Sequence, residues 1–333
     1  MSVEPSHSLI LIDKPGEWTS HDVVGRMRRV AGTKKVGHAG TLDPMATGLL
    51  LVGIGQGTRL LTYLVGLPKT YTATIRLGQA TTTDDAEGTL IADQASTGHL
   101  TSEAVENAID TLRGEIQQVP SSVSAIKVNG QRAYARARAG EEVKLAARPV
   151  VIHRFETVGQ ARHDDGFYDI DVVVECSSGT YIRALARDLG ANLGVGGHLT
   201  ALRRTHVGPF SVSDAVLPPP RGDDDKHLVG LGLGKAASMV MPSLRVSAEI
   251  ARDLGHGKRP EVDLSPIKRT ETQSRVKDAS VPEIAALDDD GKLVAIVTAG
   301  GKARSQSVDA ISGMKTVRGS LRPLLVIPVD AQT

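Results

Sequence analysis

The sequence predicts an α+β fold: a mixed, largely antiparallel sheet with peripheral helices over residues 1–243, then a small β-rich domain over residues 244–333. Three observations lead there. The chain has 333 residues, more than one typical domain needs. Its first two thirds interleave short apolar or alternating runs, which read as strands, with stretches of helical period. From about residue 244 short apolar runs are separated by glycine and acidic turns, as at 293–297 and 324–327.

The elements follow in order. Residues 8–13 are apolar enough for a first strand, and Asp22 to Val30 reads as a short helix. A glycine-rich loop spans 37–48. Residues 49–54 are a buried strand and 58–65 a helix. Tyr71 to Leu77 alternates as a half-buried strand does. Residues 81–87 form a polar turn ending at Gly88. Thr101 to Leu112 fits an amphipathic helix capped by Thr101 or Ser102, with Gly114 just past its end. Residues 121–148, between Pro120 and Pro149, read as a basic, irregular insertion: a loop with one helix. In 169–176, Ile170, Val172, Val174 and Cys176 face one way, and Asp169, Asp171 and Glu175 the other. Ser178-Gly179-Thr180 turns the chain into a helix from Tyr181 to Leu189, with Gly190 as its stop. Ile182, Leu185 and Leu189 form its apolar stripe; Arg183 and Arg187, four apart, share another face. Pro218-Pro219-Pro220 and the acidic run after it read as a surface loop.

A formal net charge of +1 is not the global signature of a nucleic-acid binder, so only local clustering argues for one. Clustering exists. Arg26, Arg28, Arg29, Lys34 and Lys35 occur with no acidic residue among them. Lys127, Arg132, Arg136, Arg138, Lys144, Arg148 and Arg154 stand against Glu141 and Glu142. Solvated helix faces give the same pattern; two such stretches favour a one-sided positive surface. The single cysteine, Cys176, makes no internal disulfide and reads as a core residue. Leu9-Ile10-Leu11-Ile12 is too short for a signal peptide, and no run approaches the ~20 apolar residues of a membrane span. A cytoplasmic protein without a membrane partner is expected.

Candidate chemistry concentrates in residues 37–48, GHAGTLDPMATG. Glycines let the loop approach a ligand closely. Asp43 is its only carboxylate, and Pro44 pushes Asp43 towards extended backbone. An Asp-Pro step in a loop is most often a turn former. Loops on a rigid sheet are also where functional residues are placed. The glycines at 53, 55 and 57 lack the full G-x-G-x-x-G spacing and read as a tight strand-to-helix turn; a nucleotide-dependent oxidoreductase rests on nothing more. The ten histidines show no H-E-x-x-H, and no metal site is expected.

GHAGTLDPMATG resembles the catalytic motif of the bacterial tRNA pseudouridine synthase B (TruB) family. Asp13-Lys14-Pro15 with Thr19-Ser20-His21-Asp22 resembles that family's N-terminal motif. Lys69-Thr70-Tyr71 with Leu77-Gly78-Gln79 resembles its tyrosine motif. Residues 178–183 and Leu202-Arg203-Arg204 complete the set in the family's order, over roughly the first 210 residues. The resemblance implies a pseudouridine synthase fold with a C-terminal PUA-like RNA-binding domain. It implies isomerisation of the T-loop uridine of tRNA at position 55, with tRNA (its T-arm stem-loop) as partner, no cofactor, and action as a monomer.

It also implies roles. Asp43 is the catalytic nucleophile or base, by attack on the ribose, attack on the base, or removal of a ribose proton. Tyr71 stacks on the target uracil and Tyr181 lines the same pocket. Arg183 pairs with Asp43; such pairing lowers a carboxyl pKa. Leu202 is an apolar wall, His38 fills the space left by an extruded base, and Asp85 lies near RNA. Lys14, Lys127, Arg132, Arg136, Arg138 and Arg148 are the expected RNA-backbone contacts. One departure stands out. The family commonly reads Lys-Pro-x-Gly, whereas here glycine comes one place early and Glu17 takes its position, so a different bend is expected. The alternative is an RNA-binding chaperone for tRNA folding, with catalysis secondary.

Overall fold

The computed structural model describes residues 7–91, 93–121, 127–128, 131–132, 145–223, 228–269, 283–300, 306–308 and 315–328. Its larger sheet contains β1 (Ser8–Lys14), β2 (Val36–Ala39), β3 (Thr47–Ile54), β4 (Lys69–Leu77) and β5 (Gly114–Gln118). A separate hairpin, β6 (Lys127–Val128) and β7 (Gln131–Arg132), follows. The sheet resumes with β8 (Arg148–Asp164), β9 (Phe167–Cys176), β10 (Gly197–Val207), β11 (Phe210–Ser211) and β12 (Leu231–Gly232). Strand order is β12-β1-β3-β10-β4-β9-β8-β5, with β2 on β3 and β11 on β10. Every pairing is antiparallel except β3 with β10. The helices are α1 (Ser20–Val30), α2 (Gly57–Leu64), α3 (Ser102–Asp110), α4 (Ile182–Asn192), α5 (Leu233–Val240) and α6 (Ala248–Gly255). This is the expected mixed α+β architecture.

The parallel β3–β10 contact sets the site. Gly48 pairs with Arg204, and a Cβ at Gly48 would lie 2.3 Å from the Arg204 carbonyl oxygen. With φ at +99° the position suits glycine alone. The catalytic-motif loop therefore enters the sheet beside the strand that carries Leu202 and Arg204.

One face of the sheet is the main core. Tyr71, Ala73, Ile75 and Leu77 of β4 and Ile170, Val172, Val174 and Cys176 of β9 pack under Ile182, Leu185 and Leu189 of α4. The alternation read at 169–176 is thus the core face, and the helical stripe is what covers it. Gly190 is not the stop. The helix runs on to Asn192, and a Cβ at Gly190 would sit 2.2 Å from Gly196 and Gly197 backbone. Close packing, not termination, requires that glycine. Thr101, not Ser102, caps α3, its hydroxyl accepting from Ala104 N–H at 3.1 Å.

The smaller sheet contains β13 (Ser243–Arg245), β14 (Glu261–Asp263), β15 (Glu283–Leu287), β16 (Leu293–Gly300), β17 (Gln306–Val308) and β18 (Lys315–Val326), in the order β13-β15-β16-β18-β14 with β17 on β18. It shares a core with the larger sheet. Leu233, Ala236 and Ala237 of α5 lie in one cluster with Leu49, Leu51, Leu60 and Leu64, and with Ala285, Leu293 and Ile296. No described helix is long and apolar enough to cross a membrane.

The departure at Glu17 has a structural answer. Glu17 adopts φ 66°, the left-handed conformation that glycine takes without penalty, and its N–H donates to the Pro44 carbonyl at 3.0 Å. The residue carries the strain of that turn. Left-handed backbone costs a non-glycine residue about 1–2 kcal/mol, offset by the greater freedom of glycine in the unfolded chain. Glu17→Gly is therefore expected to raise stability by about 0.5–1 kcal/mol without changing turnover. A lowered melting temperature would contradict this.

Candidate active site

The loop over residues 40–46 is tied down on both sides of Asp43. Ser20, buried at the start of α1, accepts from Leu42 N–H at 2.9 Å and lies 3.2 Å from the Leu42 carbonyl, to which its hydroxyl donates. Thr19 and Asp22 form a capping box that fixes that helix end. Lys14 is fully buried and its ammonium donates to the carbonyls of Pro15, Trp18 and Pro44 at 2.9, 2.5 and 3.1 Å. Burial pushes its pKa down to about 8. Arg204 is 1% exposed and donates to the carbonyls of Leu49 and Gly40 at 2.7 and 2.9 Å. A flexible-looking sequence is thus rigid where the carboxylate sits.

Asp43 faces a pocket of about 250 Å³. Tyr71, Tyr181, Arg183 and Leu202 line it, so five of the expected site residues meet there, drawn from the loop, β4, the start of α4 and β10. Ile182, Lys69 and Arg204 line it too. Asp43 is its only carboxylate among the described residues. Arg183 Nε lies 2.9 Å from Asp43 Oδ2, with the Asp43 side chain 37% exposed and the arginine 4%; the carboxylate keeps an open side towards the pocket.

Behind Arg183 sits Asp85. It is buried, 3.2 Å from Arg183 Nη1, and held by Thr83 Oγ1 and by Glu87 N–H at 3.1 Å. Arg183 Nη1 also donates to the Thr83 carbonyl at 2.8 Å. Asp85 thus pairs with Arg183 and does not itself line the pocket.

The electrostatics differ from the expectation in one respect. Burial pushes the Asp43 carboxyl above the ordinary carboxylate range. Arg183 opposes this, and the Asp85 charge adds to it. The arginine tempers the shift; it does not reverse it. Burial also raises the Tyr71 hydroxyl, so the phenol stays protonated. Lys69 is pushed down to about 8 by burial, its ammonium donating to the Val65 and Leu67 carbonyls at 2.6 Å each.

His38 stands on β2, not on a loop, and does not line the pocket. Its ring meets His21 edge-on at 5.9 Å, and burial holds its pKa down to about 4, so it is neutral near pH 7. Among the expected RNA-backbone contacts, Lys14 is removed by its burial and Arg148 is exposed. Lys127 and Arg132 lie on the β6–β7 hairpin. Arg136, Arg138 and the helix expected in the insertion fall outside the described residues. Arg26, counted in the first basic cluster, is buried and donates to the Pro219 carbonyl at 2.8 Å. Sequence reasoning assigned no role to Ser20 or Arg204, although both stand in quoted motifs. Among the described residues no group of three or more His, Cys, Asp or Glu side chains is placed to hold a metal ion.

Comparisons with known proteins converge. Residues 28–182 match the TruB family pseudouridylate synthase N-terminal domain, and residues 183–217 the tRNA pseudouridylate synthase B C-terminal domain. The tRNA pseudouridine synthase B of Arthrobacter sp. (strain FB24) is 53% identical over 313 residues, covering 91% of this chain and 97% of the relative. That of Paenarthrobacter aurescens (strain TC1) is 60% identical over 252 residues, covering 75% and 80%. Among solved structures, a Cbf5-Nop10-Gar1 complex aligns over 99% of this chain and 88% of its own with TM-score 0.66 and 22% identity, a likeness of fold.

Proposed function

This chain belongs to the TruB family of pseudouridylate synthases and isomerises uridine in tRNA to pseudouridine; from that premise we propose that Asp43 carries the chemistry and that the reacting base is the T-loop uridine at position 55. The observation that carries the proposal is a single carboxylate, held by Arg183 at 2.9 Å, in a pocket walled by Tyr71, Leu202 and Ile182.

The reaction suits that equipment. The bond from N1 to the ribose C1′ breaks, the uracil turns, and C5 bonds to the same C1′. The C5 proton leaves and N1 gains one, so nothing is oxidised or reduced. The site must supply one carboxylate, a stacking surface, and walls that retain the detached base. Ionised Asp43 serves the first need, Tyr71 the second, and Leu202 with Ile182 the third. Because the base must leave its stack before it can enter, a loop uridine is the accessible substrate. Neutral His38, beside the pocket loop, suits a stacking role in the vacated space.

Residues 244–333 act in this proposal as an RNA-binding module, and the insertion supplies phosphate contacts from Lys127, Arg132, Arg136, Arg138 and Arg148. The enzyme acts in this proposal as a monomer on cytoplasmic tRNA. Each lost phosphate contact should weaken tRNA binding irrespective of sequence and reduce the slope of log affinity against log salt by ~0.7–0.9. Arg148→Ala with an unchanged slope would remove that residue from the interface.

Carbodiimide labelling and primer extension on tRNA treated with the enzyme test the substrate assignment. A new stop at position 55 alone supports it. A stop at another uridine, with position 55 unmodified, would overturn it.

A further inference from the structure

The strand that runs into the basic insertion is bolted to the pocket. Gln118, the last residue of β5, is 1% exposed. Its Nε2 donates to the Tyr181 carbonyl at 3.1 Å, and its Oε1 accepts from the Tyr181 N–H at 2.8 Å. One side chain thus makes to Tyr181 the pair of bonds that a neighbouring strand would make. Tyr181 is the N-cap of α4, and its own side chain makes no capping bond. Arg183 follows two residues later. The residues just after the strand add to the attachment. Val119 accepts from Arg187 Nη2 at 2.8 Å, and Ser121 Oγ donates to the Thr83 carbonyl at 3.1 Å. That carbonyl is the one that receives Arg183 Nη1.

We propose that Gln118 is a positioning residue for the isomerisation, its carboxamide fixing the Tyr181 backbone and, through the start of α4, the approach of Arg183 to Asp43. Burial alone would be met by an apolar side chain of the same length. The carboxamide instead satisfies a donor and an acceptor of one residue at a helix start, where N–H groups have no partner within the helix. The segment so fixed carries Tyr181 into the pocket wall and Arg183 onto the carboxylate. Small displacements there matter, because a misplacement near 1 Å costs about 100-fold in rate. The inference rests on the reading of Asp43 as the reacting carboxylate.

The test uses full-length Gln118→Met and Gln118→Glu on tRNA, with Asp43→Asn alongside. The methionine variant should lose roughly 10- to 100-fold in single-turnover rate while its tRNA affinity stays within about twofold. Its acid limb should move upward, because a displaced Arg183 opposes the raised Asp43 pKa less well. Glutamate still accepts from Tyr181 N–H but cannot donate to the carbonyl, so its rate should fall between the two. If the methionine variant does not fold, the glutamate variant decides by the same rate, affinity and pH criteria. A rate within about twofold of wild type, a fallen rate with an unmoved acid limb, or a loss of affinity matching the loss of rate each overturns the proposal. Asp43→Asn separates the two failures. An inactive asparagine variant beside a normal Gln118→Met sinks only the role of Gln118, and an active one sinks the reading beneath it.

Discussion

Replacing Asp43 by asparagine is expected to abolish turnover while leaving tRNA bound. Asparagine keeps the shape and the loop contacts to the backbone of neighbouring residues Gly40, Thr41, Leu42 and Pro44. What it removes is the charge and the nucleophile. Loss of a positioned acid or base costs ~10²–10⁴-fold, and a covalent role would cost more. No second carboxylate lines the pocket among the described residues, so nothing nearby substitutes. Nucleoside analysis of treated tRNA measures the loss, and filter retention measures the affinity. Turnover within about tenfold of wild type would contradict the assignment.

Arg183→Met should have the next largest effect, and it should show in the pH profile. Partial desolvation in the pocket pushes the Asp43 carboxyl above the ordinary range, and Arg183 is the chief opposing influence. Without it the carboxyl binds its proton more tightly, so the ionised form is reached only at higher pH. The acid limb of kcat/KM moves upward, and part of the activity lost near neutral pH returns on raising it. Removing a preorganised charge partner should also cost about 10²–10³-fold in rate. The variant pays a second cost in stability, because Asp85 is left buried without its guanidinium. Breaking a buried pair in this way costs about 3–5 kcal/mol. Pairing Arg183→Met with Asp85→Asn should recover stability and not turnover. Lysine at 183 should rescue only in part, since one ammonium cannot reach Asp43, Asp85 and the Thr83 carbonyl together. An unmoved acid limb in Arg183→Met would show that the two residues do not communicate.

Some of the fold could be read in the sequence because it obeys one period. Ile170, Val172, Val174 and Cys176 alternate without interruption, and all four are core. β8 shows why other strands escape. Its buried residues are Val150, Ile152 and Phe155, and register shifts at Ile152/Arg154 and Val158/Arg162 break the alternation. β10 hides two polar side chains, His198 and Arg204, so it lacks an apolar signature, and β2 is Val-Gly-His-Ala, a poor strand composition.

The site divides in the same way. Asp43, Tyr71, Tyr181, Arg183 and Leu202 stood in motifs and meet in the pocket. Ser20, Gln118 and Arg204 did not declare themselves. Each is a buried polar side chain bonded to backbone far away in sequence, and no local pattern marks such a residue. Lys14 and Arg26 misled for the converse reason. Charge in a sequence suggests solvent or phosphate, yet both spend their N–H groups on carbonyls inside the protein.

The most direct measurement is single-turnover release of tritium from [5-³H]uridine-labelled T-arm RNA, by wild type and by Asp43→Asn, each with its RNA fully bound. C5 gives up its hydrogen when it joins the ribose, so released tritium counts completed isomerisations. If Asp43 carries the chemistry, the wild type releases one tritium per bound T-loop uridine and the asparagine variant none above background. Release by Asp43→Asn at a rate near wild type would contradict that role.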